Sequence, residues 1–139
     1  MSLASFLIDT DWIIDHFNRV EAVTRRLRER EGQGLSVSII SVAELWEGVY
    51  FSKDPARSRG MLEEFLGGVV ILGVDEEICK RFGQLRGSLR QQGKLIGDFD
   101  LLIAATALRH GLTLLTNNRR HFTLVEGLRI ESTGSESGG

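Results

Sequence analysis

The chain has 139 residues, 42% of them hydrophobic and 26% charged, which suits one domain with a real core and leaves no room for a second. A formal net charge of -2 and a pI of about 5.9 exclude a polycation that coats nucleic acid indiscriminately, so any such contact must use local basic patches. Cys79 is the only cysteine, which excludes an internal disulfide and a multi-thiolate zinc site; with no membrane-length apolar run, a cytoplasmic protein is expected.

Taken in chain order, Phe6 to Ile8 read as a strand buried on both faces that stops at Asp9, and Asp11 is placed to cap a helix through His16. Glu21 to Arg30 read as a charged helix, and the Gly32 and Gly34 pair precedes a second strand over Leu35 to Ile40. Ser41 is expected to open a helix carrying Leu45, Trp46, Val49 and Tyr50, and Pro55 to open another that ends at Gly67 and Gly68. Val69 to Val74 supply a third strand, and Asp75 caps a long polar helix to about Gln92, in which Cys79 is expected to be a small buried side chain.

After a flexible Gly93 to Gly97 connection, Asp98 to His110 are apolar on nearly all sides, which predicts a central buried helix closed by Gly111. Leu112 to Leu115 and Leu128 to Ile130 give two more strands around a loop with Asn117 and Asn118. Such alternation implies a single three-layer α/β/α domain, residues 1–131, around a mostly parallel sheet of about five strands. Residues 132–139, STGSESGG, have nothing to bury and read as a disordered tail.

Asp9, Glu44 and Asp100 each stand near a predicted helix start, and side chains at strand-to-helix junctions converge on one edge of a parallel sheet. Two carboxylates about 5 Å apart repel by roughly 3 kcal/mol at an effective dielectric of about 20, so a converged trio needs protons or a cation. Each acid also has a purely structural explanation. Asp9 can cap with Asp11, Ser41 and Glu44 match a capping box, and Asp100 sits in a first turn where Asp98 is an equally good cap. None of these explains why all three fall on the same edge.

The segments LIDTDWIID around Asp9, SVAELWEG around Glu44, DLLIAATAL from Asp100 and LLTNNRRHF around Asn118 together resemble the PIN-domain ribonucleases, specifically the VapC-type toxins of toxin–antitoxin pairs. The likeness runs from Phe6 to about Ile130 with the motifs in the family's order. It implies that Asp9, Glu44 and Asp100 bind Mg2+ or Mn2+, with Asn118 at a fourth catalytic position that is often acidic in the family. It further implies an endoribonuclease that hydrolyses RNA with metal-activated water, leaving a 5′-phosphate and a 3′-hydroxyl, on a transfer RNA or ribosomal RNA target. A cognate antitoxin and a homodimer are the implied protein partners.

Asp98, Asp11 and Thr116 are candidates for an outer shell around those acids, although Asp98 lies about 200° from Asp100 around the helix. Lys94, Arg119 and Arg120 flank the motifs as candidate RNA contacts, with solvated surface charge as the alternative; the Arg25 to Arg30 cluster, interleaved with glutamates, reads as a salt-bridged face first. The three histidines offer neither zinc spacing nor an acid–base pair. Two rival functions stay open. Asp9-Thr10-Asp11 resembles the start of aspartate-nucleophile phosphatases, though the later motifs fall in the wrong order, and the amide at Asn118 allows a catalytically lapsed binding module.

Overall fold

The computed structural model describes residues 4–133. In chain order the elements are β1 (Phe6–Ile8), α1 (Thr10–Phe17), α2 (Glu21–Arg30), a short 3-10 turn (Glu31–Gln33), β2 (Leu35–Ser38), α3 (Ile39–Tyr50) and α4 (Pro55–Leu66). They continue with β3 (Val70–Leu72), α5 (Glu76–Gln91), α6 (Asp98–His110), β4 (Thr113–Leu115), α7 (Arg119–Phe122) and β5 (Ile130–Glu131). The five strands form one sheet in the order β3-β2-β1-β4-β5, every pairing parallel.

Strand alternation divides the core into two halves, one on each face of this sheet. Leu7 and Leu114 point to one face, where they meet Leu101, Ile103 and Ala104 of α6 and Phe122 of α7. Phe6, Ile8, Val37 and Leu115 point to the other, against Trp12, Ile13, Val23, Leu45 and Leu62 of α1 to α4. The three-layer architecture expected from the sequence is therefore present, and α6 is the buried central helix, with Leu101, Ile103, Ala104, Ala105 and Ala107 each 0% exposed. Among the described residues no helix is long and apolar enough to cross a membrane.

The strand order fixes where a site can form. From β1 the chain steps to β2 and β3 on one side, then returns to β4 and β5 on the other. The helix after β1 packs on one face and the helix after β4 on the opposite face, so a crevice opens between the carboxyl ends of these neighbouring strands. Asp9 and Thr116 are the residues that leave those two ends.

Several local expectations are overturned. Asp9, not Asp11, caps α1, accepting from the Thr10 amide at 2.8 Å. The second strand stops at Ser38, whose hydroxyl caps α3 by accepting from Ile40 N, so Ser41 and Glu44 lie inside the helix and form no capping box. Ser38 was overlooked because Ile39 and Ile40 prolong the apolar run without belonging to the strand. Gly97 occupies the cap of α6, and Asp98 makes no capping bond. Cys79 is exposed, since the inward position on its turn of α5 is taken by fully buried Ile78. Asp75, Pro55 and Gly111 do what was expected of them: Asp75 accepts from Ile78 N, Pro55 opens α4, and Gly111 closes α6 at φ 65°.

Of the expected tail, Ser132 and Thr133 are held, by Ser132 Oγ to Thr116 O at 2.6 Å and Thr133 N to Asn117 Oδ1 at 2.9 Å; residues 134–139 lie outside the described part. Just before them Glu131 joins β5 to α2, accepting from Arg26 at 2.6 Å and Arg30 at 2.8 Å. Burial pushes the Glu131 carboxyl up, but the two guanidinium groups outweigh it and hold it below the usual range. The α2 arginines are thus the salt-bridged face read from the sequence, with Arg25 on Glu21 and Arg26 also on Glu29. Replacing Glu131 with Ala should lower stability by about 1–3 kcal/mol, because it leaves two half-buried cations without their acceptor. Urea unfolding checks this, and an unchanged midpoint would show the clamp to be idle.

Candidate active site

Asp9 sits at the bottom of the crevice with only 4% of its surface exposed. One carboxylate oxygen accepts from Thr10 N, and the other accepts from Thr116 Oγ1 at 2.7 Å. Burial pushes its carboxyl up to about 8, helped by the charges of Asp11 and Asp100 and opposed by the Thr116 and Thr10 bonds. Asp11, in the first turn of α1, is also raised by burial, against the Asn117 N–H that donates to it at 3.1 Å. Thr116 Oγ1 lies 3.4 Å from Asp11 as well, so this threonine sits between the two acids.

Glu44 reaches the same region from α3, but by way of Thr10. Thr10 Oγ1 is 2.6 Å from Glu44 Oε1 and 2.8 Å from Ser41 Oγ. Its single proton is drawn to the carboxylate, which leaves the other contact to the proton of Ser41. Asp100, in the first turn of α6, holds Asn118 Nδ2 at 3.4 Å and His121 Nδ1 at 3.3 Å. Asn118 N donates in turn to Thr116 Oγ1 at 3.0 Å, closing a chain of contacts from Asp100 to Asp9.

The strand ends thus bring Asp9, Asp11, Thr116 and Asn118 together, with Glu44 and Asp100 on the rims. No three His, Cys, Asp or Glu side chains among the described residues stand close enough to enclose one ion. Thr10 stands between Asp9 and Glu44, with its N–H on the first and its hydroxyl on the second. Asp98 is not part of the cluster: it is 77% exposed and bonded to Arg86. Lys94, Arg119 and Arg120 are exposed, and Arg119 donates to Ser132 Oγ at 3.1 Å.

Sequence reasoning missed His121, which it weighed only for zinc spacing and for an acid–base pair. The available signal was its position three residues after Asn118, which puts both on one side of the short α7. It also took Ser41 for a cap and passed lightly over Thr10, the residue that links Glu44 to Asp9.

A second feature lies on the outer face of α1, α3 and α4. A groove of about 430 Å³ is lined by Ile14, Phe17, Leu45, Val49, Met61 and Leu62, with Arg57 at its rim. Beside it Arg59 lies over the rings of Trp46 and Tyr50 and donates to the Tyr50 hydroxyl at 2.8 Å.

Comparison with known proteins points the same way. The PIN domain family model matches residues 6–128. Ribonuclease VapC2 of Haemophilus influenzae is 36% identical over 131 residues, covering 94% of this chain and 98% of that protein. A tRNA(fMet)-specific endonuclease VapC of Shigella flexneri is 33% identical over 130 residues, 93% of this chain and 98% of its own. Among solved structures, VapBC2 from Rickettsia felis bound to a promoter DNA fragment superposes with a TM-score of 0.86 at 29% identity, covering 91% of this chain and 97% of that one. DNA-bound VapBC from Salmonella typhimurium gives 0.86 at 31%, covering 93% and 98%. With its crevice, its acids and its full-length relatives in agreement, the chain belongs to the PIN domain family, among the VapC proteins.

Proposed function

We propose that this protein is a Mg2+- or Mn2+-dependent endoribonuclease, the toxin of a toxin–antitoxin pair acting in the cytoplasm. The observation that carries this reading is the meeting of Asp9, Asp11, Thr116 and Asn118 at the carboxyl ends of β1 and β4, where Asp9 is only 4% exposed and its carboxyl is pushed up by burial and by the charges of Asp11 and Asp100. A group kept in so unfavourable a state is a mark of a functional site. The donor chemistry fits a divalent cation of the hard kind: carboxylates on three elements, ringed by hydroxyls. Asp9, Glu44 and Asp100 would hold it, and it would supply Lewis acidity toward water and toward the phosphate being cleaved.

The chain's own residues do the rest. Thr116 and Thr10 N–H fix the two oxygens of Asp9, and the Thr10 hydroxyl fixes Glu44. Asn118 steadies Asp100 and adds no further negative charge beside an incoming phosphate. Lys94, Arg119 and Arg120 on the exposed margins offset the repulsion that an acidic crevice presents to RNA. The name of the Shigella relative, a tRNA(fMet)-specific endonuclease, makes tRNA(fMet) the first substrate to try. VapBC complexes among the structural neighbours support an antitoxin partner, and the apolar groove bounded by α1, α3 and α4 suits an apolar segment of it.

Asp9→Asn, Glu44→Gln and Asp100→Asn should each cut RNA cleavage by more than about a hundredfold, and Thr116→Val by roughly 10–100-fold, as expected for support of a ligand. Cleavage assays with Mg2+ and Mn2+ decide this. A wild-type protein that leaves RNA intact with either ion, yet still binds its antitoxin, would instead be a binding module.

In metal-free buffer the raised Asp9 carboxyl contributes stability below its ordinary value of 3.8, and that contribution is lost as pH rises to about 8. The wild type should therefore lose roughly 5 °C or more of melting temperature, relative to Asp9→Asn, between pH 5 and pH 8. Parallel melting curves for the two proteins across this window would contradict it.

Met61→Glu puts a charge on the groove wall. It should weaken antitoxin binding by about 30-fold, the roughly 2 kcal/mol of an interface hot spot, with RNA cleavage unchanged. Calorimetry against the antitoxin, beside a cleavage assay, separates the two effects.

A further inference from the structure

Arg86 reaches from α5 to the segment that leads into α6. One arm of its guanidinium donates to Ile96 O at 2.8 Å and the other to Asp98 Oδ1, so the planar fork grips the chain on both sides of Gly97. The fork is itself well seated. Its central carbon lies 5.4 Å from the centroid of the Phe82 ring, which packs on the α6 side of the core, and only 12% of the Arg86 side chain is exposed.

At this point α6 has little hold on itself. Gly97 has no side chain with which to cap the helix, and the first bond of the helical ladder runs from Leu101 N to Gly97 O at 3.0 Å. Asp98, Phe99 and Asp100 come before that bond. A cation near a helix N-terminus is disfavoured by the helix dipole, so Arg86 is not the residue that a need to stabilise the helix end would select. What it secures is position. Ile96 is fixed by burial of its side chain, 1% exposed, and by its carbonyl on Arg86, while Asp98 is drawn to the same guanidinium two residues before Asp100.

We propose that Arg86 is a positioning residue of the active site. By holding Ile96 and Asp98 in one fork it fixes the rotation of the first turn of α6, and with it the direction in which Asp100 meets Asn118. Its effect on cleavage rests on the nuclease reading above; its effect on Asp100 does not.

Steady-state cleavage and nitrogen-15 NMR of the full chain test this together. Arg86→Met keeps the length of the side chain and its packing on Phe82 but removes both donors. It should lower kcat about tenfold, as for loss of a residue that orients a ligand, with KM for RNA unchanged within about twofold. In the same variant the Asn118 side-chain amide signal, identified by its absence from Asn118→Asp, should shift, because Asp100 Oδ2 is its partner. Arg86→Lys keeps the charge without the fork and should recover little of either effect. Should Arg86→Met fold poorly, Asp98→Ala removes one arm at an exposed site and should give a smaller loss of the same kind. A raised KM at unchanged kcat would make Arg86 an RNA contact, full recovery by lysine would make its charge the cause, and an unmoved Asn118 signal or unchanged kinetics would leave it a residue of the fold alone. Each of these overturns the assignment. A wild type that leaves RNA intact, while the Asn118 signal still moves in Arg86→Met, sinks the nuclease reading and upholds the positioning of Asp100.

Discussion

Repulsion among carboxylates crowded at the open ends of two parallel strands is the constraint around which this molecule is arranged. Asp9 is nearly sealed from water, Asp11 follows in the first turn of the helix that Asp9 caps, and Asp100 is close enough for its charge to act on Asp9. Charges of one sign at this depth are costly, and the structure answers with donors. The Thr10 amide, the hydroxyls of Thr10 and Thr116, and the Asn117 amide each bind a carboxylate oxygen. These bonds lower the cost without removing it, and the Asp9 carboxyl stays well above the usual carboxylate range.

That cluster can persist only because the fold around it is otherwise conventional. Both faces of the sheet are covered, and the residues next to the acids are fully buried: Leu7, Ile8, Trp12, Leu114 and Leu115 are each 0% exposed. Packing of this kind fixes the ends of β1 and β4 side by side, so Asp9 and Thr116 have no freedom to drift apart. Stability comes from the apolar halves, while the crevice between them carries the unfavourable charge. The Glu131 clamp secures the far edge, since β5 is only two residues long and would otherwise hold its place by little more than its ladder bonds.

Much of this was legible in the sequence, and the failures have a common cause. Apolar runs such as Phe6 to Ile8 and the all-round hydrophobicity of α6 report burial directly, so the layers and the parallel sheet could be read. Asp9, Glu44 and Asp100 stood out because acids beside buried runs are unusual. Capping was read less well: Asp11, Ser41 and Asp98 are acceptable caps by residue type, yet Asp9, Ser38 and Gly97 hold those positions. Residue type permits a cap, and only the backbone direction at the end of the preceding strand selects which residue takes it. Contacts between distant segments, such as Thr10 with Glu44, leave no local trace at all.

The side of the crevice formed by β4 and α7 shows how such a site limits its own charge. A fourth acid at position 118 would add repulsion to a cluster that already pushes one carboxyl well above its usual range. Asn118 keeps a side-chain oxygen and two donors in that place, at no charge, and uses its backbone N–H to orient the threonine that binds Asp9. His121, one turn on, brings a nitrogen to Asp100. The β1 side therefore concentrates negative charge under burial, and the β4 side offers neutral amide groups and flanking arginines. Repulsion toward an anion is therefore least along the β4 side of the crevice and greatest over the acids of β1.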